Sequence, residues 1–109
     1  MLRDLDRVVN RKSEIMNKDQ MKTRTNSYAN RVVKVCRALP DEWVAKTLGM
    51  QLLRSGTSVG ANYRAVCRAK STPDFLNKLR IVEEERDESL FCMELLIENG
   101  FVTPRGSKT

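Results

Sequence analysis

Residues 51–70, QLLRSGTSVGANYRAVCRAK, keep a helical apolar period while placing Gly56, Gly60, Ser55, Thr57, Ser58 and Asn62 where most helices carry Ala, Leu or Glu. Each interior glycine costs a helix about 0.5–1 kcal/mol relative to alanine. A helix that keeps two must recover that loss, and close approach by another backbone is the usual way. The stretch also carries four basic residues and no acid. Its physical character is therefore a helix packed tightly on one side and positively charged on another.

The rest of the chain shows no strand-like alternation; its apolar period is helical throughout. Leu2, Leu5, Val8 and Val9 form a short amphipathic start, and residues 11–26 are polar and broken in pattern. That segment reads equally as helix, linker or frayed tail, so residues 1–26 are set apart as a variable extension. Ser27 is the expected N-cap of a first helix with Ala29, Val32, Val33, Cys36 and Leu39 on one face, ended by Pro40. A second helix is expected from about Asp41 to Ala69. Its seam is Leu48, Leu52, Ser55, Val59, Asn62 and Val66, with Gly49, Gly56 and Gly60 beside it. Ser71, Thr72, Pro73 and Asp74 make a strong start for a third helix. Its seam is expected to hold Phe75, Leu79, Val82, Leu90, Met93 and Ile97, and Asn99-Gly100 should end it. The bundle domain thus spans residues 27–102, and residues 103–109 read as a flexible tail.

A chain of 109 residues is one domain, near the size at which oligomerisation supplements a modest core. No apolar run approaches the length of a membrane span, and the first 22 residues hold no signal-peptide core. The expectation is a soluble, cytoplasmic protein. There is no histidine, and Cys36, Cys67 and Cys92 lie far apart. Zinc-finger and histidine-based metal sites are therefore excluded, and the cysteines read as small buried hydrophobes. No P-loop, Rossmann fingerprint or nucleophile elbow is present. The chain is read as a non-enzyme without cofactor, catalytic residue or metal site.

Charge is unevenly spread: residues 83–98 carry seven acids and one base, while the chain as a whole has a net charge of +6. Either the basic surface binds a polyanion, or one subunit's acidic helix meets a neighbour's basic face. The cluster Glu83–Glu88 is read as solvated and ion-paired, since consecutive helical residues point in different directions. The segment Leu90 to Ile97 is apolar almost all round, which calls for burial on more than one side and hence for self-association. Trp43 reads as a packing anchor, and Arg86 lies near enough to the seam to pair with its polar groups.

LLRSGTSVGAN, then YRAVCRAKS, then DFLNKLRIVEEERDESLFCMELL together resemble the bacterial four-helix-bundle family encoded in intervening sequences of 23S ribosomal RNA genes. The likeness covers about Tyr28 to Val102. It implies an all-α, antiparallel up-down four-helix bundle that assembles as a homopentamer. The fold is also similar to the accessory variability determinant proteins of diversity-generating retroelements, basic pentamers that bind nucleic acid and a reverse transcriptase. Family members continue past the Asn99-Gly100 position with a long fourth helix. Here that helix is expected to be truncated or partly replaced by the N-terminal segment. Members also carry an acid shortly after the Asn62 position, where this chain has Ala65 and Val66.

On a helical projection Arg54, Arg64 and Arg68 fall within an arc of about 80°, with Thr57 and Ala61 between them. Arg31, Lys34 and Arg37 recur every three residues on the polar side of the first helix. With Lys70, these seven are the expected phosphate contacts, of the sequence-independent and salt-sensitive kind. Ser55, Gly56, Gly60, Asn62, Phe91 and Leu95 are expected to serve packing and oligomer contacts, Ser55 and Asn62 by fixing register. The expected partners are further copies of the chain, RNA or DNA, and a reverse transcriptase or other protein, with no membrane. The expected function is that of a nucleic-acid-binding accessory or scaffold. The alternative is a purely structural protein-interaction oligomer.

Overall fold

Pro40 and the Ser71-Thr72-Pro73 run divide the chain where the sequence indicates. A computed structural model of the protein describes residues 18–103. They form three helices, α1 (Lys18–Ala38), α2 (Trp43–Cys67) and α3 (Thr72–Glu98). No strand occurs among the described residues. The architecture is all-α. Both the amphipathic start Leu2–Val9 and any replacement of a fourth helix by it lie outside the described residues. No helix among the described residues is long and apolar enough to cross a membrane.

Helix α2 is the centre of the molecule. Its backbone packs closely against both neighbours, whereas α1 and α3 meet only through side chains. Short connections reverse the chain twice, so both neighbours run antiparallel to α2. Gly49 lies against Leu39, and Gly56 against Val32. Across the other interface, Arg54 reaches Glu88 and Gln51 reaches Cys92. Two apolar clusters fill these interfaces. One gathers Val32, Val35, Leu52, Cys92, Leu96 and Val102; the other gathers Val59, Tyr63, Val66, Phe75 and Val82. Tyr28 packs on both, and its hydroxyl shares a 2.5 Å hydrogen bond with that of Ser89, tying α1 to α3.

The first helix starts well before Ser27, which is an exposed interior residue and not a cap. Its packed face is Met21, Thr25, Tyr28, Val32, Val35 and Leu39, a 4-3-4-3-4 spacing that two polar members hide from an apolar count. Thr25 is buried because its hydroxyl donates back to Met21 O at 2.9 Å, leaving only its methyl group to pack. Such back-bonding satisfies the hydroxyl inside the helix.

In α2 the buried positions are Ala45, Gly49, Leu52, Ser55, Gly56, Val59, Tyr63 and Val66. Tyr63 thus takes the place that the apolar spacing assigned to Asn62. Asn62 is half-buried and its amide donates to Ser58 O at 2.9 Å within its own helix. Burial, reinforced by the Cys67 thiol beside it, pushes the Tyr63 phenol up to about 12. Glu42 caps α2, its carboxylate accepting from Val44 N–H at 2.7 Å. Trp43, read as a packing anchor, is 77% exposed and joins neither apolar cluster among the described residues.

In α3 the buried set is Phe75, Val82, Ser89, Cys92 and Leu96. Four of them stand seven residues apart, and the second half is out of phase with the expected Leu90, Met93 and Ile97. The shift follows from Ser89: small and bonded to Tyr28, it sits on the seam and turns Leu90 outward. Glu85 also lies on this seam, one of its carboxylate oxygens buried with no hydrogen-bond partner among the described residues. Arg86 points away, its side chain 62% exposed beside Asp87. At the end of the helix, Phe101 N–H bonds to Leu96 O and Gly100 N–H to Ile97 O. Gly100 has φ of 80°, the left-handed residue this closing motif requires. The turn returns Phe101 and Val102 onto the first apolar cluster.

The start of α3 yields a pH prediction. Ser71 Oγ accepts from Asp74 N–H at 3.2 Å, while the Asp74 carboxylate accepts from the Lys78 ammonium at 2.6 Å and from Lys70 N–H at 3.1 Å. The Lys78 hydrogen bond first, and then the Lys70 N–H, hold the Asp74 carboxyl below its ordinary value. A carboxylate depressed on folding adds stability above its unfolded pKa, about 3.9 for aspartate. That contribution is lost as pH falls through the folded pKa. In a carboxyl-carbon NMR titration Asp74 is expected to show its midpoint below 3.9. A midpoint at or above that value contradicts the cap geometry.

Candidate nucleic-acid interface

Tight packing of α1 on α2 sets the geometry of the basic residues. A Cβ at Gly56 would lie 2.8 Å and 2.9 Å from the two methyl carbons of Val32, and one at Gly49 2.7 Å from a Leu39 methyl carbon. The first contact is with a buried, branched side chain, so it fixes the separation of the two helices. A Cβ at Gly60 would meet only Thr25, at 3.6 Å, which is ordinary contact. Ser55 is fully buried and its hydroxyl donates to Gln51 O at 2.8 Å. It packs as a small group and bonds across no interface.

The α1–α2 groove has two unlike ends on one side of the molecule. Near the first turn it is apolar, about 600 Å³, lined by Cys36, Leu39, Gly49, Met50 and Leu53 with Lys46 at its edge. Toward the other end it is polar, about 220 Å³, lined by Lys22, Thr25, Asn26, Thr57, Gly60 and Arg64. Burial raises the pKa of the Cys36 thiol, with the nearby Cys92 adding to the shift. Cys36 donates to Gly49 O at 3.4 Å. All three cysteines are free thiols.

The residues expected to contact phosphate fall into three groups. Arg31, Lys34 and Arg37 are exposed on α1, and Lys34 and Arg37 flank a shallow depression with Val33 on its outer side. Arg54 leaves the arginine arc, since its guanidinium is bound to Glu88 at 2.6 Å. The acid-free sequence around Arg54 hid this partner, which α3 supplies from 34 residues away. Arg64, Arg68 and Lys70 are exposed at the far end of α2. Lys18, whose ammonium donates to Cys67 O at 3.4 Å, brings the start of α1 to the same end.

Lys22 and Asn26 were not among the candidates. They lie in the segment whose pattern read as broken, and only the full 4-3-4-3-4 spacing from Met21 to Leu39 would have placed them on a helix facing Arg64. Phe91, expected at a packing contact, is 59% exposed. Leu95 is half-buried. Most of the large exposed apolar side chains gather in one half of the molecule, Trp43, Met50 and Leu53 on α2 and Leu90 and Phe91 on α3, while Ile81 is exposed on the other half of α3.

Similarity to known proteins agrees with this architecture. No curated relative matches the chain. Among solved structures, a crystal structure of a protein of unknown function from the S23 ribosomal protein family, from Bacteroides thetaiotaomicron, is 38% identical. The match covers 78% of this chain and 79% of that one, with a TM-score of 0.72. The model of the 23S rRNA-intervening sequence protein family matches residues 17–109. With that match over most of its length and a three-helix core shared with a solved relative, the chain belongs to the 23S rRNA-intervening sequence protein family.

Proposed function

We propose that this protein is a non-enzymatic, self-associating helical scaffold that binds nucleic acid through its basic surface. The observation that carries the reading is the separation of two surfaces along one bundle. Exposed Trp43, Met50, Leu90 and Phe91 sit in one half, and Lys22, Arg64, Arg68 and Lys70 in the other. An apolar patch on a small soluble domain marks a contact surface. Here the patch has a projecting part, Phe91, and a receiving part, the apolar groove beside Met50 and Leu53. A projection and a groove on different faces make a head-to-tail contact, which closes into a ring when the rotation allows. Five subunits is the number carried by the resemblance to the intervening-sequence family, and a reverse transcriptase or other protein as further partner is carried by the likeness to the retroelement accessory proteins. The basic half remains free for phosphates, whose contacts are electrostatic and independent of sequence.

Two measurements test the reading. Light scattering on the purified chain is expected to give a closed oligomer, and Phe91→Glu to give monomer with unchanged helix content. Binding of a labelled duplex is expected to weaken steeply from 50 mM to 200 mM salt, in the manner of several phosphate contacts. An oligomer that binds no nucleic acid at 50 mM salt leaves the purely structural interaction protein as the function. A wild-type monomer removes the scaffold.

A further inference from the structure

We infer that the polar end of the α1–α2 groove, across Gly60, is the seat for a backbone phosphate of a nucleic-acid duplex. The inference rests on the nucleic-acid reading above and assigns it a place. Three observations converge there. First, Lys22 from α1 and Arg64 from α2 flank the groove from opposite walls. Both are exposed, and neither pairs with a carboxylate among the described residues. Arg54, by contrast, is held by Glu88. No acid lines this part of the groove, and the Asn26 amide adds a neutral donor at its edge.

Second, the space has a small capacity. At about 220 Å³ it falls below the range of about 300–1,000 Å³ typical of small-molecule sites. It suits a tetrahedral anion projecting from a backbone better than a whole nucleotide. Gly60 keeps the floor low, because a side chain there would rise between Lys22 and Arg64.

Third, the basic half offers no exposed aromatic platform among the described residues. Tyr63 and Phe75 are buried, and Tyr28 is half-buried with its hydroxyl bonded to Ser89. Proteins that hold single strands stack bases on exposed aromatic rings. A surface with charge and no rings contacts a backbone whose bases are already stacked, which is that of a duplex.

The test uses the full chain and fluorescence anisotropy with a labelled 20-base-pair duplex and a single strand of equal length. Lys22→Ala with Arg64→Ala is expected to weaken duplex binding at least tenfold. It should also lower the slope of log affinity against log salt by about 1.8, the value for two phosphate contacts. Arg31→Ala, Lys34→Ala and Arg37→Ala together are expected to weaken duplex binding by a smaller factor than the Lys22/Arg64 double variant, although they remove one more charge. Ala61→Met, which fills the mouth of the groove without altering charge, is expected to weaken binding severalfold with helix content and oligomeric state preserved. A triple variant that loses binding while the double variant keeps it moves the contact to the outer face of α1 and overturns the seat alone. Single strand bound tenfold more tightly than duplex overturns the assignment to a duplex. Absence of any binding by the wild type overturns both the seat and the nucleic-acid reading.

Discussion

Leu52→Ala is expected to destabilise the fold by about 2–5 kcal/mol, the range for truncating a fully buried leucine. Leu52 is completely buried on the central helix. It joins the cluster that holds Val32 and Val35 from α1, Cys92 and Leu96 from α3, and Val102 from beyond α3. One side chain therefore supports both helix interfaces and the returning chain end. Because its neighbours come from both flanking helices and from the returning chain end, no single small shift closes the cavity, and the cost should lie in the upper part of the range. Denaturant unfolding at fixed protein concentration measures it, since the proposed association would add a concentration-dependent term. A loss under 1 kcal/mol would show that Leu52 is not central to the packing.

Gly56→Ala is the second large effect, and its sign is opposite to what helix propensity gives. Alanine gains about 0.5–1 kcal/mol over glycine inside a helix. At position 56 the new methyl group would sit 2.8 Å and 2.9 Å from the Val32 methyl carbons and 3.2 Å from the Val32 Cβ. Val32 is 1% exposed and has nowhere to turn, so α1 must move away. Overpacking of this kind costs about 1–3 kcal/mol, so after the propensity gain the net loss is on the order of 1 kcal/mol and at most about 2.5 kcal/mol. For a domain of this size each kcal/mol shifts the melting temperature by about 4–8 °C. Gly60→Ala provides the control. Its nearest contacts are at 3.6 Å, so it should raise the melting temperature through propensity alone. The expected order is Gly60→Ala above wild type above Gly56→Ala. Adding Val32→Ala to Gly56→Ala should recover part of the clash energy, which identifies the contact responsible. A Gly56→Ala melting point at or above wild type would remove the close approach as the reason for the glycine.

This pair also shows how far the sequence could be read. Glycines inside a helical period announced a close helix contact, and the structure locates it at Gly56 and Gly49. Nothing in the sequence distinguished Gly60, because the difference depends on whether Val32 or Thr25 stands opposite. Helix ends were readable wherever a side chain declares itself: Ser71 with Asp74 starts α3, and Gly100 closes it. The beginning of α1 was not, because Thr25 and Tyr28 occupy packed positions with their polar atoms satisfied by Met21 and Ser89. A polar residue that finds its partner inside the fold looks like solvent-facing sequence. The same blindness affected the candidate site. Arg54 appeared unpaired because Glu88 is distant along the chain, and Lys22 appeared irrelevant because its helix was not recognised.

The central position of α2 has a kinetic consequence. Every extensive interface joins helices that are neighbours along the chain, so the loops that must close to form them are short. Contacts local in sequence give fast folding, in the microsecond-to-millisecond range for helical bundles. A substitution on α2 such as Leu52→Ala should slow folding itself, because both hairpins condense on that helix. Loss of the Tyr28–Ser89 hydrogen bond, which joins the two outer helices and forms only after both have docked, should instead show up as faster unfolding.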